Sequence, residues 1–121
     1  MIIAVISEND CIYHHFGKCS EITLYDVQHE LVINKTKYKI EKRGYNNISS
    51  FLKEHNTAVV LCGGINAEAK NVLRGNRMEI IPGLSGNCDE IVVDYLSGLN
   101  IGNPDFICSS FCTNKSCTLC R

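Results

Sequence analysis

Between residues 45 and 98 the chain alternates two kinds of hydrophobic pattern, and that alternation restricts the fold more than any other feature. Residues 57–62 form a short, almost continuous apolar run closed by Gly63 and Gly64. Residues 78–81 form a second run, closed by Pro82 and Gly83. Around these runs apolar side chains recur at helical spacing. Ile48, Phe51, Leu52 and His55 make one stripe, Ala69, Val72 and Leu73 a second, and Ile91, Val92, Tyr95 and Leu96 a third. Short unbroken runs suit strands covered on both faces, and single stripes suit helices lying against a sheet. Strand and helix in turn imply parallel strands joined by right-handed crossovers. Asn46 or Asn47, Asn66 and Asn87 are candidate N-caps, the last with Glu90 three residues on. Asn56, Gly75 and Gly98 are candidate stops.

The first half adds three more strands. Residues 2–6 are a third apolar run, suited to a central buried strand. Residues 21–27 and 31–40 read as an antiparallel hairpin, with Lys35, Lys37 and Lys39 on one face of an exposed edge. Five strands and three helices are therefore expected. With 121 residues the chain has room for one domain with a real core. Such sheets bind ligands beyond the carboxyl ends of their strands. Three segments should meet on that rim: the loop after the first strand, residues 62–64, and residues 83–86.

The rim segments carry the chemistry. Cys11 and Cys19 flank His14, His15, Phe16 and Gly17. Imidazole and thiolate bind soft and borderline metals at neutral pH. Adjacent residues in an extended segment point in opposite directions, so one of His14 and His15, not both, is expected to serve. Gly17 lets the backbone approach a bulky ligand. Cys19 and Cys62 are candidate contacts for a ligand on this rim, although buried thiols also serve as small apolar side chains. Cys88 stands in the first turn of a helix, where the dipole should lower a thiol's pKa. The glycine-rich approach through Gly86 offers N–H groups to an anion.

Other classes are disfavoured. A net charge of −1 lacks the basic face that nucleic acid requires. No apolar run reaches membrane-spanning length, and residues 1–7 lack the features of a signal peptide. No membrane association and a cytoplasmic location are expected, with reduced thiols. The carboxylates show no grouping of the kind a two-metal nuclease needs. Cys108, Cys112, Cys117 and Cys120 are a separate matter. Four thiols within so short a span match the ligand count of structural zinc or of an iron–sulfur cluster. Ser109, Ser110, Thr113, Asn114 and Ser116 give that segment little to bury, so its order should depend on metal. The division expected is a domain over residues 1–100 and a cysteine-rich tail over 101–121. Two other readings remain open: a thiol oxidoreductase using Cys117 and Cys120, and an interaction module docked through a metal-bound tail.

Three motifs in order add a resemblance. Ile2-Ile3-Ala4-Val5-Ile6-Ser7 is followed by His15-Phe16-Gly17-Lys18-Cys19 and Ile22-Thr23-Leu24-Tyr25-Asp26. Then come Leu61-Cys62-Gly63-Gly64-Ile65 with Ala69, and Tyr95-Leu96-Ser97-Gly98-Leu99. Over about residues 1–100 the chain resembles the dinitrogenase iron–molybdenum cofactor biosynthesis proteins. The resemblance implies a ribonuclease H-like three-layer α/β/α fold with a mixed five-stranded sheet. It implies a carrier and not an enzyme, holding a molybdenum- or iron-containing sulfide cluster; some relatives hold a molybdenum–copper sulfide cluster. A donor or acceptor metalloprotein would be the partner. His15 falls on the family's His-Phe-Gly position and so becomes the leading metal ligand, with Phe16, Gly17, Cys19, Cys62, Gly63, Gly64 and Gly86 around the cluster. Where many relatives read Gly-Ile-Gly-Pro, this chain has Gly64-Ile65-Asn66-Ala67, and the cysteine-rich tail lies outside the shared domain.

Overall fold

The computed structural model describes residues 1–41 and 44–98. The four cysteines assigned to a tail metal centre lie outside the described residues. The strands are β1 (Ile2–Glu8), β2 (Cys11–Ile12), β3 (Glu21–Gln28), β4 (Leu31–Lys39), β5 (Thr57–Leu61) and β6 (Glu79–Ile81). The helices are α1 (Tyr45–Glu54), α2 (Ala67–Gly75) and α3 (Cys88–Leu96).

β1 is the centre of one mixed sheet ordered β4-β3-β1-β5-β6, with β2 attached to β1 off this path. It pairs antiparallel with β3 and parallel with β5, and β5 pairs parallel with β6. Ile3, Ala4, Val5 and Ile6 are all fully buried because each face of β1 is covered. Ala4 and Ile6 pack with Ile48 and Leu52 of α1 and Ala69 and Leu73 of α2. Ile3 and Val5 pack with Cys88 and Val92 of α3. The layers are thus α1 and α2, the sheet, and α3. The unbroken apolar run of β1 is the direct consequence of this two-sided cover.

The described residues form a six-stranded sheet, so the expected count of five is corrected. The additional strand is β2. Asn9 and Asp10 take φ of 52° and 66°, a left-handed pair that folds the chain tightly back on β1. Two residues are too few to leave a hydrophobic pattern. The β3–β4 hairpin turns the same way at His29 and Glu30, with φ of 52° and 63°. β4 is an edge strand exposed along nearly all its length. Lys35 and Lys37 on it reach across to Asp89 and Asp10.

Two caps follow the sequence and one does not. Oδ1 of Asn66 accepts from the Ala69 N–H at 2.8 Å, and Oδ1 of Asn87 from the Glu90 N–H at 3.1 Å. α1 starts earlier than expected, after Gly44, whose φ of 103° supplies the entry bend. Asn46 and Asn47 therefore lie inside α1. Asn56 and Gly98 stop α1 and α3 at positive φ, as the sequence implies. Gly75 is instead the last helical residue of α2, and Arg77 takes the left-handed position with φ of 63°.

Candidate functional site

The three rim segments are stitched together by backbone hydrogen bonds at the carboxyl ends of β1, β5 and β6. The Tyr13 N–H donates to Ile6 O, the Gly64 N–H to His14 O, and the Phe16 N–H to Gly64 O, at 2.8, 2.9 and 2.8 Å. His15 and Gly64 thereby extend the sheet by one parallel bridge. On the other side the Gly83 N–H donates to Gly63 O and the Leu84 N–H to Cys62 O. The Ile12 N–H donates to Gly86 O at 2.8 Å. Gly63 is the pivot. A Cβ there would stand 2.9 Å from Tyr13 O, 3.1 Å from His14 Cα and 3.3 Å from Leu84 O. Glycine is required because two backbones pass on either side of it.

His15 sits at the middle of this junction, between the bridge to Gly64 and one turn of 3-10 helix at Phe16–Lys18. Phe16 is fully buried and anchors the turn in the core. Nδ1 of His15 is buried and has no hydrogen-bond partner among the described residues. Buried polar atoms are almost always paired, so this one stands out. Burial, with Lys18 and His14 nearby, holds the imidazole below its ordinary pKa of 6.5. The ring is therefore neutral at physiological pH, the state that can ligate a metal. A Cβ on Gly17 would stand 3.8 Å from Cε1 and 3.9 Å from Nδ1 of His15, an ordinary van der Waals contact that glycine omits. His14 packs its ring on Tyr13, with centroids 4.5 Å apart.

The thiols are placed differently from one another. Cys19 and Cys62 are wholly buried in the core under α1 and α2. Burial pushes the Cys62 thiol up to about 12, against the opposing pull of Lys70. Cys88 does open α3, but the expected lowering of its pKa is overturned. Burial, and then Cys11, push it up to about 12. Loss of solvation disfavours the thiolate, opposite in sign to the field at a helix start. The 83–88 loop also has fewer open donors than its glycines imply. The N–H groups of Gly83, Leu84 and Cys88 are committed to backbone carbonyls, leaving those of Ser85, Gly86 and Asn87 outside that ladder.

Two features escape the sequence reading. Lys70 is buried on α2, and its charge acts on Cys62. Its place beside Ala69 and three residues before Leu73 puts it on the apolar stripe, which is the signal that could have found it. Asp89 accepts from the Tyr25 hydroxyl at 2.6 Å and pairs with Lys35 at 2.8 Å. That link joins β3, β4 and α3 across 64 and 54 residues, a separation no local pattern reveals. Among the described residues no three His, Cys, Asp or Glu side chains converge as a metal cage.

The sequence profile of the family described as "Dinitrogenase iron-molybdenum cofactor" matches residues 1–98. The chain belongs to that family. Its fold is shared by solved structures of low sequence identity. The protein PH0822 superposes with a TM-score of 0.80 at 21% identity, covering 87% of this chain and 96% of that one. The apo form of the orange protein from Desulfovibrio gigas gives 0.70 at 17% identity, covering 84% and 93%. A candidate dinitrogenase from Methanocaldococcus jannaschii gives 0.69 at 18% identity, covering 81% and 89%. At these identities the likeness establishes the fold. Among curated proteins no sequence matches the chain. No helix of the described residues is long and apolar enough to cross a membrane.

Proposed function

We propose that this protein binds and carries a molybdenum- or iron-containing sulfide cluster on the rim built by residues 13–17, 62–64 and 83–88. The observation that carries the reading is the buried Nδ1 of His15, without a hydrogen-bond partner among the described residues, at the bridge to Gly64 and next to Gly63, around which the three segments meet. Family membership supplies the class of cargo. His15 is the metal ligand in this reading, with Phe16 fixing its turn and Gly17, Gly63, Gly64 and Gly86 keeping the backbone close. Cys19 and Cys62 pack beneath the loop. An anionic sulfide cluster would meet one imidazole and the N–H groups of Ser85, Gly86 and Asn87. Few ligands and neutral donors suit a cargo that must be handed on. The role is carriage without catalysis, between a donor and an acceptor metalloprotein in the cytoplasm. The layer order suits the ribonuclease H-like class, and the tail cysteines, Cys108, Cys112, Cys117 and Cys120, would form a second centre with zinc or an iron–sulfur cluster.

The test is anaerobic reconstitution with tetrathiomolybdate, and separately with iron and sulfide, followed by gel filtration, elemental analysis and absorbance. Stoichiometric cluster retained by the parent and lost by His15→Ala, with unchanged circular dichroism, supports the reading. Equal retention by His15→Ala rejects the assignment of His15, and no retention by the parent rejects the carrier role.

A further inference from the structure

We propose that a cavity beside the carboxyl end of α1 binds a primary alkylammonium group, at the opposite end of β1 from the His15 rim. The inference is independent of any cargo. It starts from the sheet register. Ile2 pairs with Asp26 and Asp26 with Asn34, so the three share one row across β1, β3 and β4. Leu24 and Thr36 pair in the next row, and Ile22 and Tyr38 in the one after. Residues two apart along a strand share a face. Ile22 and Leu24 pack with Ile48 and Leu52 of α1, so Asp26 lies on the α1 face as well. His55 closes the space from above. Its ring centroid is 5.0 Å from that of Tyr38 and 4.4 Å from that of Phe51. The rows and His55 line a cavity of about 150 Å³.

The polar lining offers acceptors. Asp26 is half-buried and makes no hydrogen bond or ion pair among the described residues. Oδ1 of Asn34 accepts from the Lys35 N–H at 2.9 Å, which steadies the side chain and leaves a second lone pair. The Thr36 hydroxyl can also accept. Among the described residues no lysine or arginine lines the cavity. Lys35 and Lys37 are turned to the other face, where they pair with Asp89 and Asp10. The carboxyl end of α1 adds partial negative charge. An ammonium carries three donors and no acceptor, which a carboxylate, an amide oxygen and a hydroxyl match. A divalent cation would want more carboxylates than the one present. The rest of the lining suits a short stem: Ile2 and Leu24 are aliphatic, and the rings of Tyr38 and His55 flank them. Water takes about 30 Å³ in the liquid, so the cavity holds roughly five heavy atoms. That is the size of n-butylammonium, and equally of a lysine side chain.

The experiment titrates the full isotope-labelled chain with n-butylammonium chloride, against equal sodium chloride, and follows backbone amide shifts. The expected result is saturable shifts at Asp26, Asn34, Thr36 and His55, with a Kd on the order of 1 mM for so few atoms, and none at His15 or Gly64. n-Butanol keeps the stem and lacks the charge, and should bind at least about tenfold more weakly. Asp26→Asn should weaken n-butylammonium by about tenfold. A second titration with Nα-acetyl-lysine amide identifies the source of the group: shifts at the same residues admit a lysine side chain, and their absence restricts the site to free amines. No saturable shift with n-butylammonium, equal affinity for n-butanol, or equal affinity in folded Asp26→Asn overturns the proposal. The two ligands on the parent decide the matter even if Asp26→Asn fails to fold.

Discussion

Gly63→Ala tests whether the rim is held by close backbone approach. The added methyl would meet Tyr13 O at 2.9 Å, His14 Cα at 3.1 Å and Leu84 O at 3.3 Å. All three atoms are backbone, so no rotamer change relieves the clash. Tyr13 and His14 lie on one side and Leu84 on the other, so one segment must move away from β5. Each is fixed by bonds to the same turn: Gly64 N–H to His14 O, and Leu84 N–H to Cys62 O. Overpacking of this kind costs about 1–3 kcal/mol. In a domain of this size about 2 kcal/mol lowers the melting temperature by roughly 10 °C. Urea and thermal unfolding followed by circular dichroism measure both. Gly75→Ala is the internal control. It ends α2 with nothing within 4 Å of the new methyl, and should gain up to about 1 kcal/mol. A Gly63→Ala protein as stable as its parent would refute the reasoning.

Four other outcomes are expected. Stability should fall as pH drops below about 6.5, where the unfolded chain takes up a proton that folded His15 resists; His15→Gln should flatten that slope in urea titrations at several pH values. Hydrogen bonds from Lys35 and Tyr25 hold Asp89 below the ordinary carboxylate range, so its contribution is present above pH 3.8 and is lost as pH falls through the lower folded value; Asp89→Asn should remove that part of the acid limb. Asn66→Ala should cost about 1 kcal/mol through loss of the α2 cap, read from the urea midpoint. A chain ending at Asn100 should still unfold cooperatively, because both apolar clusters are built from residues 2–96; a non-cooperative melt would contradict this.

The fold was legible where side chains act locally. Asn66 and Asn87 cap by reaching three residues ahead, so sequence shows them. The apolar runs of β1 and β5 announce strands covered twice. Gly44 was not legible as a cap, because it works through φ and offers no acceptor. β2 was missed because its pairing comes from the turn at Asn9 and Asp10, not from alternation. At the site, topology alone brought the three loops to one rim. The protonation of Cys88 could not be read the same way. A helix start is visible in sequence, but the depth of burial that overrides it is set by Ile3, Val5 and Tyr25, residues more than sixty positions away.

The central place of β1 has a kinetic consequence. With β3 and β4 it forms a meander of short-range contacts that can assemble early. Its pairing with β5 joins Ile3 to Val59 and Ala4 to Val60, and must wait for closure of a long loop. The residues around His15 come from the early half and Gly64 from the late one. Neither half of the folding chain presents the complete site. Any ligand held there would stabilise the fully folded state alone, so its release and global unfolding would be linked through one equilibrium.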